Sequence, residues 1–438
     1  MAGLRIDMPY LQDKRALWLK GNLHTHTTRS DGQSSPQEMI RAYAKLGLDF
    51  LMLSDHDVFG DVSGLDPCGM VLITGNEISG NGPHLLDVGA RTKVAPHQNR
   101  QRVIDAIAKK SGFPILCHPN WLEHFNHYPY ETLLELEGYA GVEIFNGVVL
   151  DLPGSHLAID KWDRLLAAGK KVWGYAHDDA HCLAHVGRGC NIVRARSRTK
   201  AAILDALRNG SFYASSGVEI ESITSKGSVL IVRAPKADLI SVFAPYGARI
   251  FSSKGPELRF DTSNLMAPFV RVECYGRGGA TAWTQPIVIW GGSFDAQRKR
   301  SEALARKPLP TLKALHSDRA PEFTGKMLDP LWKKAKPSSR FLNIRDGSKP
   351  AVKTELRAIA TSTHVFLSAR CEEPQLDAMR VSVTPENTGA IWSDDSVEFF
   401  FDIEGKGRSE CQIIVNAAGS FMGTQPGTVI PLVGAMKV

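Results

Sequence analysis

This chain is organised around nine residues, HTHTTRSDG, which run from His24 to Gly32. They follow a mostly apolar run, Ala16 to Leu23, that is typical of a buried strand. Side chains two positions apart in extended backbone point to the same side, so the imidazoles of His24 and His26 leave the strand end together. This pattern suits a metal site, although two histidines in a solvated loop would show it as well.

Four further clusters of acids and histidines each follow a short apolar run. They are SDHD at Ser54 to Asp57, GNE at Gly75 to Glu77, CHPN at Cys117 to Asn120 and HDDAH at His177 to His181. In a chain of alternating strands and helices, strand ends converge on one face, where such enzymes place their chemistry. Together the five clusters predict a polynuclear metal centre.

The composition is that of an ordinary globular protein, and its 438 residues predict about three domains. The net charge of +6 is spread along most of the chain, which suits a small anionic substrate, and we expect no nucleic-acid partner. Seven cysteines without a CxxC spacing indicate neither a disulfide framework nor a cysteine zinc site. A reducing compartment is the expectation.

The N-terminal residues predict a cytoplasmic protein. Charged residues between Arg5 and Arg15 leave no long apolar core, so the chain as given carries no signal peptide. No apolar run reaches membrane-spanning length, and we expect no membrane partner. An export signal outside this chain stays open as an alternative.

Strands and helices alternate from Ala16 to about Ser216. Ser35, Pro36 and Glu38 form a capping box with proline at the first position, which predicts a helix that ends at Gly47. About six or seven such βα units with polar clusters at consecutive strand ends predict a barrel, closed or distorted, with metals at its C-terminal mouth. We assign residues 1–217 to this domain.

The pattern changes after Gly217. Short β-rich runs separated by Gly, Pro, Ser and Lys predict a small β-sandwich over residues 218–290. Residues 291–322 form a basic segment, which we interpret as a solvated linker; the alternative is a docking surface for an anion or a partner. Residues 323–438 predict a second β-sandwich, and the sequence leaves open whether this domain continues past Val438.

The motifs resemble, in order and spacing, those of the polymerase and histidinol phosphatase (PHP) superfamily: HTHTTRSDG, SDHD, GNE, CHP and DDAH. The resemblance covers about residues 16 to 216 and implies a distorted seven-stranded β/α barrel that binds two or three divalent ions, usually zinc, manganese or iron. DDAH, with a β module that closes in GGATAWTQPIVI, looks most like the carbaryl-hydrolase-like branch.

The final segment resembles family 9 carbohydrate-binding modules through WKKA near Trp332 and IWSDDSVEFFFDIEG at Ile391 to Gly405. That resemblance implies sugar stacking or ion binding for a small set of residues, whereas packing of the core and a pinned turn are the favoured interpretation. The set is Trp332, Trp392, Asp394 and Asp395.

The PHP resemblance implies metal ligands at His24, His26, Asp31, His56, Glu77, His118, Asp179 and His181. The two histidines of the first motif would bind one ion, which Asp179 completes and Glu77 bridges to a second ion at His118. The remaining three would hold a third ion or contact the substrate. Asp31 stands where many family members carry histidine.

Other polar residues near the motifs have two interpretations each. His84 resembles a histidine that some small members place in the pocket, as ligand or acid, and is otherwise a plain strand-end residue. Arg29 and Arg188 are phosphate clamps or surface charges. His177 and Asp178 are expected to support the ligands from behind. Histidines outside the motifs are expected in loops or on the surface: His97, His124, His127, His156 and His185.

Two ions that share Glu77 would lower the pKa of a bridging water and supply a hydroxide nucleophile. The resemblance therefore predicts a phosphoesterase acting on a small phosphorylated substrate. One alternative is a carboxyl or carbamate ester hydrolase with the same centre. Another is a carbohydrate-binding protein with an inactive barrel, whose partner would be a glycan at the last domain. The candidate catalytic residues are His56, His84, Asp31 and Arg29.

Overall fold

The structure is a computed structural model that describes residues 4–110, 112–291, 299, 312–322, 327–338, 341–342, 349–382, 391, 394–401 and 411–424. The chain forms two compact units, Met1–Ala296 and Gln297–Val438. Most of the predicted basic linker, including its core AQRKRSEALARK, lies outside the described residues.

The first unit contains both helices and strands. Its helices are α1 Pro36–Lys45, α2 Arg100–Lys109, α3 Tyr130–Glu135, α4 Ile159–Ala167 and α5 Lys200–Arg208. Its first eleven strands are β1 Arg5–Asp7, β2 Leu17–Asn22, β3 Phe50–Met52, β4 Val71–Ile73, β5 Gly75–Ile78, β6 Leu85–Val88, β7 Phe113–Leu116, β8 Gly141–Asn146, β9 Trp173–His177, β10 Cys190–Ala195 and β11 Phe212–Ser215. Eight more follow: β12 Ser222–Lys226, β13 Val229–Arg233, β14 Leu239–Ala244, β15 Ala248–Lys254, β16 Glu257–Asp261, β17 Phe269–Tyr275, β18 Thr281–Thr284 and β19 Ile287–Trp290.

The capping box predicted for α1 is present. The Ser35 side chain accepts from the Glu38 backbone, and the Glu38 carboxylate accepts from the Ser35 backbone N–H at 2.8 Å. Met39, Ile40 and Tyr43 form the buried stripe of the helix, which packs beside β3 residues such as Leu51. The predicted helix is confirmed, because local capping and one apolar face specify the same element.

The mixed α/β class is confirmed. Strands β5 to β9 form a five-stranded sheet in sequence order, and β2, β3, β4, β10 and β11 belong to an eleven-stranded sheet. Within the described residues, hydrogen bonding thus divides the strands of the predicted barrel between two sheets, and the distorted seven-stranded barrel stays a prediction. Only Thr74 separates β4 from β5, and β6 returns antiparallel to β5 without a helix between them.

The two sheets meet at their strand ends. Thr25, beyond β2, forms a parallel bridge with Ala180, beyond β9, and His56, beyond β3, forms another with Glu77 in β5. The His26 N–H donates to the Ala180 carbonyl at 2.8 Å, and the Glu77 N–H donates to the Ser54 carbonyl at 2.9 Å. This seam between the sheets brings the polar clusters together.

The strands after β11 continue into the same unit. β18 is hydrogen-bonded to β11 on one side and to β17 on the other, so the eleven-stranded sheet crosses the predicted boundary at Gly217. β12, β13 and β16 form a separate three-stranded sheet. The domain limits proposed from the sequence remain predictions.

The described residues of the second unit include two three-stranded sheets and a short helix. Its elements are β20 Leu315–His316, α6 Pro330–Lys334, β21 Thr354–Ala360, β22 Val365–Cys371, β23 Ser396–Phe401, β24 Cys411–Asn416 and β25 Phe421–Thr424. Trp332 is buried against Ala335 and Ile359, and Asp394 accepts hydrogen bonds from Ser382. These contacts match the interpretation of packing and a pinned turn; Trp392 lies outside the described residues.

Among the helices of the described residues, none has the length and apolar character needed to cross a bilayer.

Candidate metal centre

Five of the predicted ligands lie within a strand or at most four residues past its end. His24 and His26 follow β2, Glu77 lies in β5, His118 follows β7 and Asp179 follows β9. All five are buried. The strand ends therefore gather side chains that lie far apart in the sequence, as the strand-end pattern predicted.

The two carboxylate oxygens of Glu77 face different histidines. Oε2 lies 3.2 Å from His24 Nε2, 3.3 Å from His26 Nε2 and 2.9 Å from His56 Nδ1. Oε1 lies 3.0 Å from His84 Nδ1 and 3.4 Å from His118 Nε2. The carboxylate thus faces two groups of imidazoles, one on each oxygen.

Asp179 closes the group around His24 and His26. Its Oδ1 lies 3.1 Å from His24 Nε2 and 3.0 Å from His26 Nε2, and its Oδ2 lies 3.9 Å from His118 Nε2. Asp179 has a backbone φ of 52° and His118 a φ of 30°. Left-handed backbone is uncommon for residues other than glycine and concentrates at functional sites, where the surrounding structure enforces it.

Asp31 lies in a third group, nearer the surface. Its Oδ2 is 3.5 Å from His56 Nε2 and 3.3 Å from His181 Nε2, and its Oδ1 is 3.7 Å from His26 Nδ1. The Asp31 side chain is 54% exposed, unlike the buried carboxylates. Asp31, His56 and His181, which the resemblance assigns to a third ion or to the substrate, therefore lie together.

The carboxylates and imidazoles of this cluster shift one another's pKa values. Burial alone would raise the pKa of Glu77, but the facing imidazoles, His24 first, hold it well below its ordinary value. Burial alone would lower the pKa of His24, yet Asp179 and Glu77 raise it well above 6.5. Burial also opposes the rise at His56, where Asp31 and Glu77 still raise the pKa to about 10. The carboxylates of Glu77, Asp179 and Asp31 thus stabilise positive charge on the groups that they face.

The donor atoms fit a divalent cation. His24 Nε2, His26 Nε2, Glu77 Oε2 and Asp179 Oδ1 are buried, and none has a hydrogen-bond partner within the part of the chain that the structure describes. These four side chains offer ligand atoms that all lie within 4.8 Å of one another. Unpartnered buried polar atoms are costly, and a cation would satisfy all four. Imidazole and carboxylate ligands suit zinc, manganese or iron.

His84 lies at the second face of Glu77, together with an unpredicted neighbour. Its backbone N–H donates to His127 Nε2 at 2.9 Å, and the rings of His118 and Trp121 pack close by. His127 lies in a loop, one of the two positions that the sequence predicts for it, but its side chain is buried there. Burial, with His118 and His84 nearby, lowers the pKa of His127 to about 2. The sequence could not place this ring, because its position depends on the path of a loop.

The two candidate phosphate clamps are engaged with the protein. Arg29 Nη1 donates to the Asp61 carbonyl at 2.6 Å, and Arg188 Nη1 donates to the Asp151 carboxylate at 2.5 Å. Each guanidinium has five N–H groups, so both retain donors beyond these contacts. The structure therefore leaves both interpretations of the arginines open.

A second buried residue was missed by the sequence analysis. Glu143 lies in the middle of β8, where it is the one charged residue of the run GVEIFN. It contacts His24 and His177 and so lies behind the ligands, where the sequence predicts His177 and Asp178. Asp178 instead accepts hydrogen bonds from Tyr43 and from the backbone of Gly187 and Gly189. An isolated acid in a buried strand requires partners, and that requirement is the signal the sequence offered.

No family model matches this chain. A 5'-3' exoribonuclease of Haemophilus influenzae is 43% identical over 79 residues, which cover 15% of this chain and 27% of that protein. The match therefore spans about a quarter of the curated relative's length.

Solved structures with partial similarity include three proteins. A two-domain protein from Bacteroides vulgatus, described as containing a predicted PHP-like metal-dependent phosphoesterase, covers 65% of this chain and 99% of its own at 17% identity and a TM-score of 0.39. A lesion-specific endonuclease of Pyrococcus furiosus covers 44% and 56% at 16% identity and a TM-score of 0.32. An amidohydrolase of Chromobacterium violaceum covers 37% and 87% at 15% identity and a TM-score of 0.29.

Proposed function

We propose that this chain is a metal-dependent hydrolase of the PHP type, and that its substrate is a small phosphoester. The observation that carries the proposal is the two-sided environment of Glu77, with imidazoles facing each carboxylate oxygen. Such a carboxylate suits two ions side by side, as in two-metal phosphatases and nucleases. The motifs HTHTTRSDG, SDHD, GNE, CHP and DDAH, in this order, support the family assignment.

In this proposal the chain divides the ligands among three positions. His24, His26 and Asp179 would hold a first ion, and Glu77 would be shared with a second ion at His118, where His84 would be an additional ligand. Asp31, His56 and His181 would hold a third ion or contact the substrate. Divalent ions, when bound, supply an activated water molecule and Lewis acidity at the reacting ester.

The protein's own groups have separate tasks around that chemistry. His56 is 24% exposed and its Nε2 is turned to Asp31 at the outer edge of the cluster, so it is placed to pass a proton to a leaving oxygen. Arg29 and Arg188 orient an anionic group with their free N–H groups. The half-buried ring of Trp121 beside His118 and His127 limits water at the second face of Glu77. The strands of both sheets form a distorted barrel in this proposal.

The runner-up is hydrolysis of a carboxyl or carbamate ester at the same centre. The resemblance to the carbaryl-hydrolase-like branch favours it, and the ligand geometry suits attack at carbon as well as at phosphorus. A third candidate is a carbohydrate-binding protein, for which the final domain would supply glycan affinity. The complete set of ligand positions around Glu77 argues against an inactive barrel.

One experiment separates these candidates. Protein purified without added metal is analysed for zinc, manganese and iron and tested for glycan binding, and is then assayed with Mn²⁺ or Zn²⁺ on phosphomonoesters, phosphodiesters, carboxyl esters and carbamates. Turnover of phosphoesters supports the proposal. Turnover confined to carboxyl esters or carbamates replaces it with the runner-up, and glycan binding without any turnover replaces it with the third candidate.

A further inference from the structure

Glu143 is a fully buried carboxylate that none of the sequence motifs includes. Its Oε1 lies 2.6 Å from Nδ1 of His24 and 2.7 Å from Nδ1 of His177. Its Oε2 accepts from the backbone N–H of His118 at 2.7 Å and from Nδ2 of Asn146 at 2.7 Å. An ionised carboxylate has about four acceptor positions, and four donors occupy them here.

This arrangement determines which nitrogen of each ring carries hydrogen. Glu143 can only accept, so both His24 and His177 donate to it from Nδ1. When the His24 ring is neutral, as metal binding requires, its other nitrogen, Nε2, presents its lone pair to the space between Glu77 Oε2 and Asp179 Oδ1. A metal ligand requires that lone pair, and the hydrogen bond at the opposite nitrogen decides where it lies.

The same carboxylate also supports two other candidate ligands. His118 has an uncommon φ of 30°, and its backbone N–H donates to Glu143. This hydrogen bond stabilises the backbone conformation at His118. Asn146 Nδ2 donates both to Glu143 and, at 3.2 Å, to Oδ2 of Asp179. One side chain is therefore tied to His24 directly, to His118 through its backbone and to Asp179 through an amide.

We propose that Glu143 is the positioning residue of the metal centre: it fixes His24 in the Nδ1–H tautomer and holds the backbone of His118 in place. The inference deepens the proposed function and rests on it for the metal. Glu143 touches neither an ion nor a substrate in this role. It acts through the rings and the backbone that it orders.

Glutamine at position 143 would have nearly the same shape as glutamate. Its amide, however, would add donors at a site where the surrounding groups require acceptors. Its amide NH₂ would face either the two Nδ1–H groups or the pair formed by the His118 N–H and Asn146. In the first orientation the imidazoles can relax only by moving their hydrogen to Nε2, which blocks the lone pair of His24. In the second orientation a buried backbone donor meets another donor, which is costly.

The test compares the full-length wild type with Glu143→Gln. The first measurement is the ring tautomer of His24 in the metal-free protein, from ¹⁵N NMR two-bond couplings recorded at increasing pH until the ring is neutral, with the His24→Gln spectrum for assignment. The second is Zn²⁺ affinity by competition with a chelator. We expect an Nδ1–H tautomer in the wild type, its loss in Glu143→Gln and a roughly 10- to 100-fold weaker affinity, the usual effect of removing a partner behind a ligand.

The matched control is Asp163→Asn, which removes another buried carboxylate of the same unit, one that is paired with Arg271. It should lower thermal stability and leave the His24 tautomer and the Zn²⁺ affinity unchanged. A wild-type His24 with its hydrogen on Nε2 overturns the proposal, whether or not the Glu143 variant folds. Unchanged affinity and tautomer in a folded Glu143→Gln also overturn it. A wild type that binds no metal overturns the proposed function, while the tautomer measurement still decides the role of Glu143.

Discussion

Oε1 of Glu77 lies 3.4 Å from Nε2 of His118, while the other oxygen of the same carboxylate faces His24 at 3.2 Å. One buried side chain thus separates two groups of histidines that come from different strands. The consequences of that arrangement can be measured, as can those of three other buried charged side chains of the same unit.

Glu77→Gln should lower both metal content and turnover. The amide keeps the shape of the side chain but removes the negative charge that two ions would share. We expect metal affinity to fall by more than about 10-fold, the lower bound for losing even a partner behind a ligand. Elemental analysis and chelator competition measure the loss. Glu135→Gln, at an exposed position of α3, is the control and should match the wild type. Full activity of Glu77→Gln would contradict the bridging role.

Lys161→Met should loosen the loop beside His118. The Lys161 ammonium donates to the carbonyls of Pro119, Phe125 and Tyr128 and so fastens a loop that also carries Trp121. Losing these three bonds should speed hydrogen exchange over residues 119–128. It should also lower kcat/KM by up to about 100-fold, the scale of a small misplacement near a reacting centre.

The control for that loop is Lys170→Met, which removes a similar bond to the Leu136 carbonyl outside the loop. Its exchange over residues 119–128 should equal that of the wild type. Equal exchange in the Lys161 variant would show that the loop is held by other contacts.

Asp87→Asn should stabilise the protein in a pH-dependent manner. Asp87 is buried in β6 with no hydrogen-bond partner among the residues described, and burial raises its pKa to about 7 from 3.8. Between these two values the folded state holds a proton that the unfolded state has released, so the wild type loses stability as pH rises from about 4 to about 7. The full difference is up to about 4 kcal/mol.

Urea unfolding of both proteins at pH 5 and pH 8, with chelator present, tests this prediction. The advantage of Asp87→Asn over the wild type should be larger at pH 8. An advantage that is the same at both pH values would show that Asp87 does not titrate in this range.

Arg271→Met should destabilise the first unit without changing metal affinity. Arg271 is buried and donates to both carboxylate oxygens of Asp163 at 2.6 Å, and it also contacts Glu273. Removal of the guanidinium leaves two buried carboxylates without their partner, which typically costs about 3–5 kcal/mol. Arg233→Met is the comparison, because its ion pair with Glu257 is exposed and worth at most about 1 kcal/mol. Equal losses in the two variants would refute the argument from burial.

The sequence predicted those parts of the site that depend on strand ends. His24, Glu77 and Asp179 each belong to a polar cluster that follows or ends an apolar run, so their convergence required only the α/β pattern. The α1 helix was also predictable, because its capping box spans only four consecutive residues and therefore depends on the local sequence alone. Whether these side chains bind ions stays a prediction.

The remainder depends on the path of the chain in space. Only six residues separate β5 from β6, too few for the crossover that parallel strands require, and this short connection produces the antiparallel pair within the five-stranded sheet. The place of His127 depends on a loop fastened by Lys161. Glu143 was missed because an apolar pattern hides a single acid, whose partners come from three other segments.

The candidate metal centre lies at the seam between the two sheets, so a bound ion would also affect the stability of the fold. His24, His26 and His56 extend from the eleven-stranded sheet, whereas Glu77, His118 and Asp179 belong to the five-stranded one. An ion held by both sets would act as a reversible cross-link between two halves of one unit. Its contribution to folding would then grow with the logarithm of free metal concentration, so the supply of ions in the cell would govern the lifetime of the protein as well as its chemistry.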